Sequence, residues 1–109
     1  MVRLADTRTV TLDGNGRGVA VITAPGAKAW RIIGMTVSVP GSTVEATARI
    51  YSGLIQSDRL VDITYTAASG DASNSEHYLL PGESLLCEWT GGQPGAVAVV
   101  RFWGEEYAI

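Results

Sequence analysis

Cys87-Glu88-Trp89-Thr90-Gly91-Gly92-Gln93-Pro94-Gly95-Ala96-Val97-Ala98-Val99-Val100 places two strand-like runs on either side of a turn dense in Gly and Pro. Glycine reaches positive φ without steric cost and proline interrupts a ladder, so this stretch predicts a β-hairpin made of Leu85–Thr90 and Ala96–Trp103. The same grammar recurs upstream. Thr7–Leu12 and Val19–Thr23 flank Asp13-Gly14-Asn15-Gly16-Arg17-Gly18, a second expected hairpin. Trp30–Val39 reads as the longest strand, with Ile33, Met35, Val37 and Val39 on one face and Trp30, Ile32, Thr36 and Ser38 on the other. Gly34 in its middle points to a bulge or bend.

Val44–Ser52 alternates most regularly. Val44, Ala46, Ala48 and Ile50 turn one way, and Glu45, Thr47, Arg49 and Tyr51 turn the other. Gly53–Arg59 reads as a loop, Leu60–Thr66 as a shorter strand, and Ala67–Ser75 as a polar loop and the most mobile stretch. Tyr78–Leu80 gives a brief edge strand before the Pro81-Gly82 turn. No segment of helical length shows a 3.6-residue period. Seven or eight short strands at about ten-residue spacing predict an antiparallel β-sandwich, jelly-roll-like or immunoglobulin-like, with a small closed barrel as the alternative. The expected organisation is one domain over residues 1–109, with a short amino-terminal arm (1–6) and a carboxyl-terminal tail (104–109).

Composition narrows the function classes. The net charge of −3, with seven Arg and one Lys spread singly, offers no basic stripe, so nucleic acid is not an expected partner. The longest apolar run, Ala96–Val100, is five residues, against about 20 for a spanning helix, so no membrane partner is expected either. Arg3, Asp6 and Arg8 leave no apolar core for a signal peptide, which implies synthesis in the cytoplasm. Charged residues make up only 17% of the chain, against ~25% in an average domain, which suits either a surface partly covered by partners or a small sandwich solvated by its many Thr, Ser and Gly residues.

Few residues carry chemistry. Cys87 lies inside a strand pattern between Leu85 and Trp89 and reads as a buried, inert thiol. His77 is the single histidine; Ser75 and Glu76 flank it, but neighbours on an extended segment point apart, so it reads as an exposed loop residue. One His and one Cys fall short of a zinc ligand set, and Asp13-Gly14-Asn15-Gly16 lacks the Glu of a calcium loop. Glu105 and Glu106 are adjacent and suit a solvated end better than a glycosidase cleft. The glycines form no phosphate-binding fingerprint. No catalytic, cofactor-binding or metal residue is therefore expected, and the chain reads as non-enzymatic.

The aromatics carry more information. Trp30, Tyr51, Tyr65, Tyr78, Trp89, Phe102, Trp103 and Tyr107 exceed what one small core holds. Val99, Arg101 and Trp103 share parity on the last strand, with Val100 and Phe102 opposite, so both of its faces carry large apolar groups. Trp103, Tyr107 and Ile109, with Leu4 on the amino-terminal arm, are the expected contact surface for another molecule. Tyr51, Tyr65 and Tyr78 are the candidates if the ligand is a carbohydrate.

Several segments together resemble a family: Arg8-Thr9-Val10-Thr11-Leu12-Asp13-Gly14-Asn15-Gly16 with the strand after it, Ala48-Arg49-Ile50-Tyr51-Ser52-Gly53, Leu80-Pro81-Gly82-Glu83-Ser84-Leu85 and Trp89-Thr90-Gly91-Gly92-Gln93-Pro94-Gly95-Ala96. They look like the small β-sandwich virion proteins of tailed bacteriophages of actinobacteria. The resemblance runs from about Thr7 to Phe102 and rests on turn and strand signatures. It implies a component of the phage particle, best matched by a head decoration or minor capsid protein. Such a protein would sit on the major capsid protein as a homo-oligomer, a trimer favoured. A tail, neck or baseplate component is the alternative, as is a carbohydrate-binding adhesion module.

Overall fold

The two glycine-rich turns do not close hairpins. In the computed structural model, which describes residues Met1–Ile109, each carries the chain from one sheet to the other. Nine strands form: β1 (Val2–Thr11), β2 (Gly18–Thr23), β3 (Lys28–Ser38), β4 (Thr47–Ser52), β5 (Leu60–Thr64), β6 (Asp71–Ser73), β7 (His77–Leu79), β8 (Ser84–Thr90) and β9 (Val97–Ala108), with one 3₁₀ turn at Ser57–Arg59. The first sheet has the order β1-β9-β3-β6, with β7 also pairing β3; the second has the order β2-β8-β4-β5. Every pairing is antiparallel.

If β6 and β7 are taken as one interrupted strand, the first strand pairs the last, the second pairs the next to last, and so inward to β4 with β5. A long antiparallel ribbon rolled on itself gives that pattern, which is the jelly-roll solution; the immunoglobulin-like alternative is set aside. The core lies between the sheets, where Leu12, Ile22, Ile32, Met35, Leu85, Trp89, Val100 and Phe102 are all but fully buried. The first sheet is the longer one. The 12 residues of β9 span about 41 Å at the usual strand rise, close to the molecule's 43 Å long axis, whereas the second sheet's strands have five to seven residues.

At one end the two corners lock together. Gly92 N–H donates to Gly16 C=O at 3.0 Å, Leu12 N–H donates to Ala96 C=O at 2.8 Å, and Gly95 N–H donates to Leu12 C=O at 2.9 Å. Gly16 has φ +72°, and a Cβ there would run into the Gly92 carbonyl. Asp13 shapes the first corner: its Oδ1 accepts from the N–H groups of Asn15 (2.9 Å) and Arg17 (3.0 Å). These bonds, Arg17's first, hold its carboxyl below the usual range. The carboxylate serves the turn.

Four further expectations need correction. The arm (1–6) and tail (104–109) are not extensions: Val2 pairs Glu106 and the ladder runs unbroken to Thr11–Val97, because both ends alternate and can satisfy each other's backbone. The bulge at Gly34 is present as a register shift between Ile32 and Gly34, and it reverses the face assignment around it. Trp30 and Ile32 lie inside with Met35, Val37 and Val39, and Ile33 is turned out. Val44 precedes its strand and is exposed, and Tyr51, beyond a second bulge, is buried at 7% exposure.

Lastly, Ala67–Ser75 contains β6 and begins with two buried alanines. Glu45 latches it: Oε1 accepts from Ala68 N–H at 2.7 Å and Ser69 N–H at 3.2 Å, and Ser69 Oγ donates to Oε2 at 2.7 Å. The Ser69 hydroxyl first, then the Ala68 and Ala46 amides, pull the Glu45 carboxyl down to about 2. A carboxyl whose pKa is lower folded than unfolded contributes stability above the unfolded value, and that contribution fades as pH falls towards about 2. Glu45→Ala should therefore speed amide exchange at Ala68 and Ser69 at pH 7, with the difference from wild type shrinking in acid. Unchanged exchange at both amides would refute the latch.

The corner lock makes a second prediction. Gly16→Ala combines an unfavourable positive φ with a backbone collision and should destabilise by about 2–4 kcal/mol in denaturant titration. Gly14→Ala, with nothing within 4 Å of its added carbon, should stay within about 0.5 kcal/mol of wild type. Equal effects at the two glycines would show that the corner contact is unimportant.

Candidate interaction surface

The outer face of the first sheet is assembled by β7, β3, β9 and β1 lying side by side. Alternation along β9 sends Val97, Val99, Arg101, Trp103, Glu105 and Tyr107 outward, while Ala98, Val100 and Phe102 enter the core. Trp103 and Tyr107 are each 38% exposed, beside the outturned Ile33 at 37%. Both faces of this strand carry large apolar groups, as the parity implied.

Trp103 packs its indole onto Gly34. The two residues are cross-strand partners, and a Cβ on Gly34 would collide with the indole ring. The bulge glycine thus sets the backbone bend and leaves room for the indole, which covers the bare backbone in return.

At the other end of this face Arg31 is the hub. Its guanidinium bonds Glu105 at 2.6 Å, Glu76, and the Tyr78 hydroxyl at 3.2 Å, while the Tyr107 hydroxyl donates to Glu105 at 2.9 Å. Cross-strand pairing brings them together: Arg31 faces Tyr78 on β7 and Glu105 on β9. Arg31 and the Tyr107 hydroxyl hold the Glu105 carboxyl below its ordinary range, and the hydrogen bond to Glu105 pushes the Tyr107 phenol up. Tyr78, Leu80, Ala29 and Tyr107 wall a shallow open groove of about 400 Å³ over this network.

The expected contact residues divide. Trp103 and Tyr107 share the outer face, and Ile109, 76% exposed, lies just past the end of β9. Leu4 does not join them. It pairs Gly104, faces inward and belongs to the molecule's own core at 9% exposure, since the amino-terminal segment is a strand and not an arm. Among the tyrosines considered for sugar, Tyr65 and Tyr78 are exposed and Tyr51 is not. Sequence parity found Trp103, and the apolar chain end pointed to Tyr107; both missed Ile33 and Arg31, whose facing depends on the bulge and on strand order.

Cys87 is buried in the core, and burial pushes its thiol up to about 12, so it is held as an unreactive thiol. His77 is corrected. It is no exposed loop residue but the first residue of β7, facing inward opposite Ile32, with Nε2 buried and unpartnered. Burial lowers its pKa, and the Asp62 charge opposes that. Ser73 is also inward and buried, but neither its Oγ nor His77 Nε2 has a hydrogen-bond partner, so no nucleophile–base pair is assembled. Glu76 is occupied on the outer face by Arg31.

No family model matches the sequence, and no curated protein matches it.

Gly34→Ala should force Trp103 off the sheet, red-shifting tryptophan emission and costing about 1–3 kcal/mol of stability. In a Trp103→Ala background the same change should cost far less, because the occupant of that space is gone. Identical costs in both backgrounds would mean that the ring does not depend on the glycine.

Proposed function

We propose that this chain is a non-enzymatic structural protein of a bacteriophage particle, a head decoration or minor capsid protein that stabilises the shell by lying on the major capsid protein. Two things support the reading. One is the resemblance carried by the turn and strand segments quoted above. The other is the outer face of the first sheet, on which Ile33, Tyr78, Trp103 and Tyr107 remain open on a rigid ladder; that observation carries the proposal. Aromatic side chains on a stiff surface add contact area at small entropic cost and concentrate at interface centres. A contact burying on the order of 1,000–2,000 Å² per copy, repeated over a lattice, favours the assembled shell by mass action.

A second reading, a carbohydrate-binding adhesion module, is favoured by one feature: the groove in which Tyr78 and Tyr107 flank the Arg31 network. Exposed rings beside fixed polar groups suit a sugar's apolar face and hydroxyls.

The doubly substituted Trp103→Ala/Tyr107→Ala chain separates the two. On empty phage heads its occupancy should fall by about tenfold or more in co-sedimentation, with the thermal midpoint of the isolated chain kept within a few degrees. Full occupancy would sink the contact face. Loss of a glycan-array signal with unaltered head binding would move the assignment to adhesion.

A further inference from the structure

The first sheet has one long unpaired edge. β6 and β7 have three residues each, whereas β1 runs for ten residues with β9 on one side and nothing on the other. Which backbone groups face that open side follows from the ladder. Leu12 N–H bonds Ala96, and antiparallel partners alternate, so even-numbered residues of β1 bond β9 and Arg3, Ala5, Thr7, Thr9 and Thr11 turn their N–H and C=O outward. Thr7 corroborates this independently. Its N–H goes to Asp6 Oδ1 at 2.8 Å, and its C=O accepts from the Arg8 guanidinium at 3.1 Å, so side chains satisfy both groups and the ladder satisfies neither.

We infer that this edge pairs with the same edge of a second copy, antiparallel and centred on Thr7. The sequence decides the register. Centred on Thr7, Asp6 stands opposite the partner's Arg8 twice, Leu4 opposite Val10 twice on the same inner face, Ala5 opposite Thr9, and Thr7 opposite itself. Centring on Asp6 would oppose two carboxylates, and centring on Arg8 would oppose two guanidinium groups. Centring on Ala5 or Thr9 would set both Asp6 and Arg8 against apolar residues. Only the Thr7 register matches both charge and burial along the row Leu4-Asp6-Arg8-Val10.

The exchange conserves interactions. Within one chain Asp6 and Arg8 form an ion pair at 2.6 Å and cover Thr7; across the two-fold axis each carboxylate takes the other copy's guanidinium and uncovers the Thr7 groups for each other. The five outward residues of each strand then give about ten inter-chain backbone hydrogen bonds, joining the two first sheets into one. The symmetry needs a self-complementary edge, which this segment has. The inference concerns the edge and not the outer face, and so is independent of the capsid reading.

Sedimentation velocity on the full chain tests it, with a dimer expected at twice 11.5 kDa as concentration rises. Asp6→Arg and Arg8→Asp each place like charges opposite one another at the centre, and should weaken dimerisation by about tenfold. The combined D6R/R8D chain exchanges the signs and should recover it. Thr7→Pro removes an N–H that the β1–β9 ladder does not use, and should give a monomer with retained sheet circular dichroism. A wild type still monomeric at about 1 mM, single variants that dimerise as wild type does, or a double variant as weak as the singles would each overturn the pairing.

Discussion

Everything in this fold follows from the contact of two chain corners, where Gly92 N–H meets Gly16 C=O with no room for a side chain between them. Each corner moves the chain between sheets, and because they are bonded to each other, β1 and β9 leave the contact side by side, as do β2 and β8. The rest of the ribbon then has little freedom: β3 must lie on β9 and β4 on β8, enclosing the core from Leu12 to Trp89. Loop-closure entropy makes such distant pairings slow to form, so a contact that fixes both corners at once removes a large share of the search. The glycines are needed for the approach as much as for the turn.

A second constraint is local and acts outward. The bulge at Ile33 and Gly34 changes which residues of β3 face the core, so that apolar groups on both sides of it remain inside. Without the extra residue, Trp30 and Ile32 could not share a face with Met35 and Val37, because parity would oppose them. What the core gains, the exterior takes as an isoleucine and a bare patch of backbone, and Trp103 covers that patch. The apolar character of the outer face is thus a by-product of core packing. That explains why it is concentrated on β3 and β9 and not spread evenly.

Much of this was legible in the residues. Most strands from Thr7 to Trp103, β6 excepted, the bulge at Gly34, the inert Cys87 and the outward Trp103 follow from period-two alternation and from glycine placement. What failed was partnership. Asp13–Gly18 and Gly91–Gly95 say that the chain turns, but Gly, Asn and Pro look the same in a hairpin and in a corner between sheets, and only the Gly16–Gly92 contact distinguishes them. Leu4 and His77 were misread for a related reason. Their burial is conferred by β9 and β3, which are remote in sequence, so no window around either residue contains the information. Tyr51 erred by one step of register, the characteristic penalty of a period of two, and Val44 erred because it lies before its strand begins.

The two outer faces now differ in a way that bears on function. On the second sheet Arg17 pairs with Glu88 at 2.7 Å and Arg49 donates to Thr90 at 3.0 Å, so its polar groups bond one another, Tyr51 is covered, and the exposed apolar groups are the aliphatic Val21, Leu60 and Val61. On the outer face of the first sheet the ion pairs gather around Arg31 at one end, and the middle is left to Trp103 and Ile33. A polar face whose groups already bond one another gains little from a partner, because desolvation offsets what new bonds return. Apolar area on a rigid ladder loses no internal bonds when covered and gains about 25 cal/mol for each Å² withdrawn from water. What sets the first sheet apart is aromatic area on its face, at Trp103, Tyr107 and Tyr78, and a β1 edge whose backbone groups no side chain of the monomer satisfies beyond Thr7. Both surfaces arise because this sheet outgrows its partner, which leaves β1 and β9 longer than the core they cover requires.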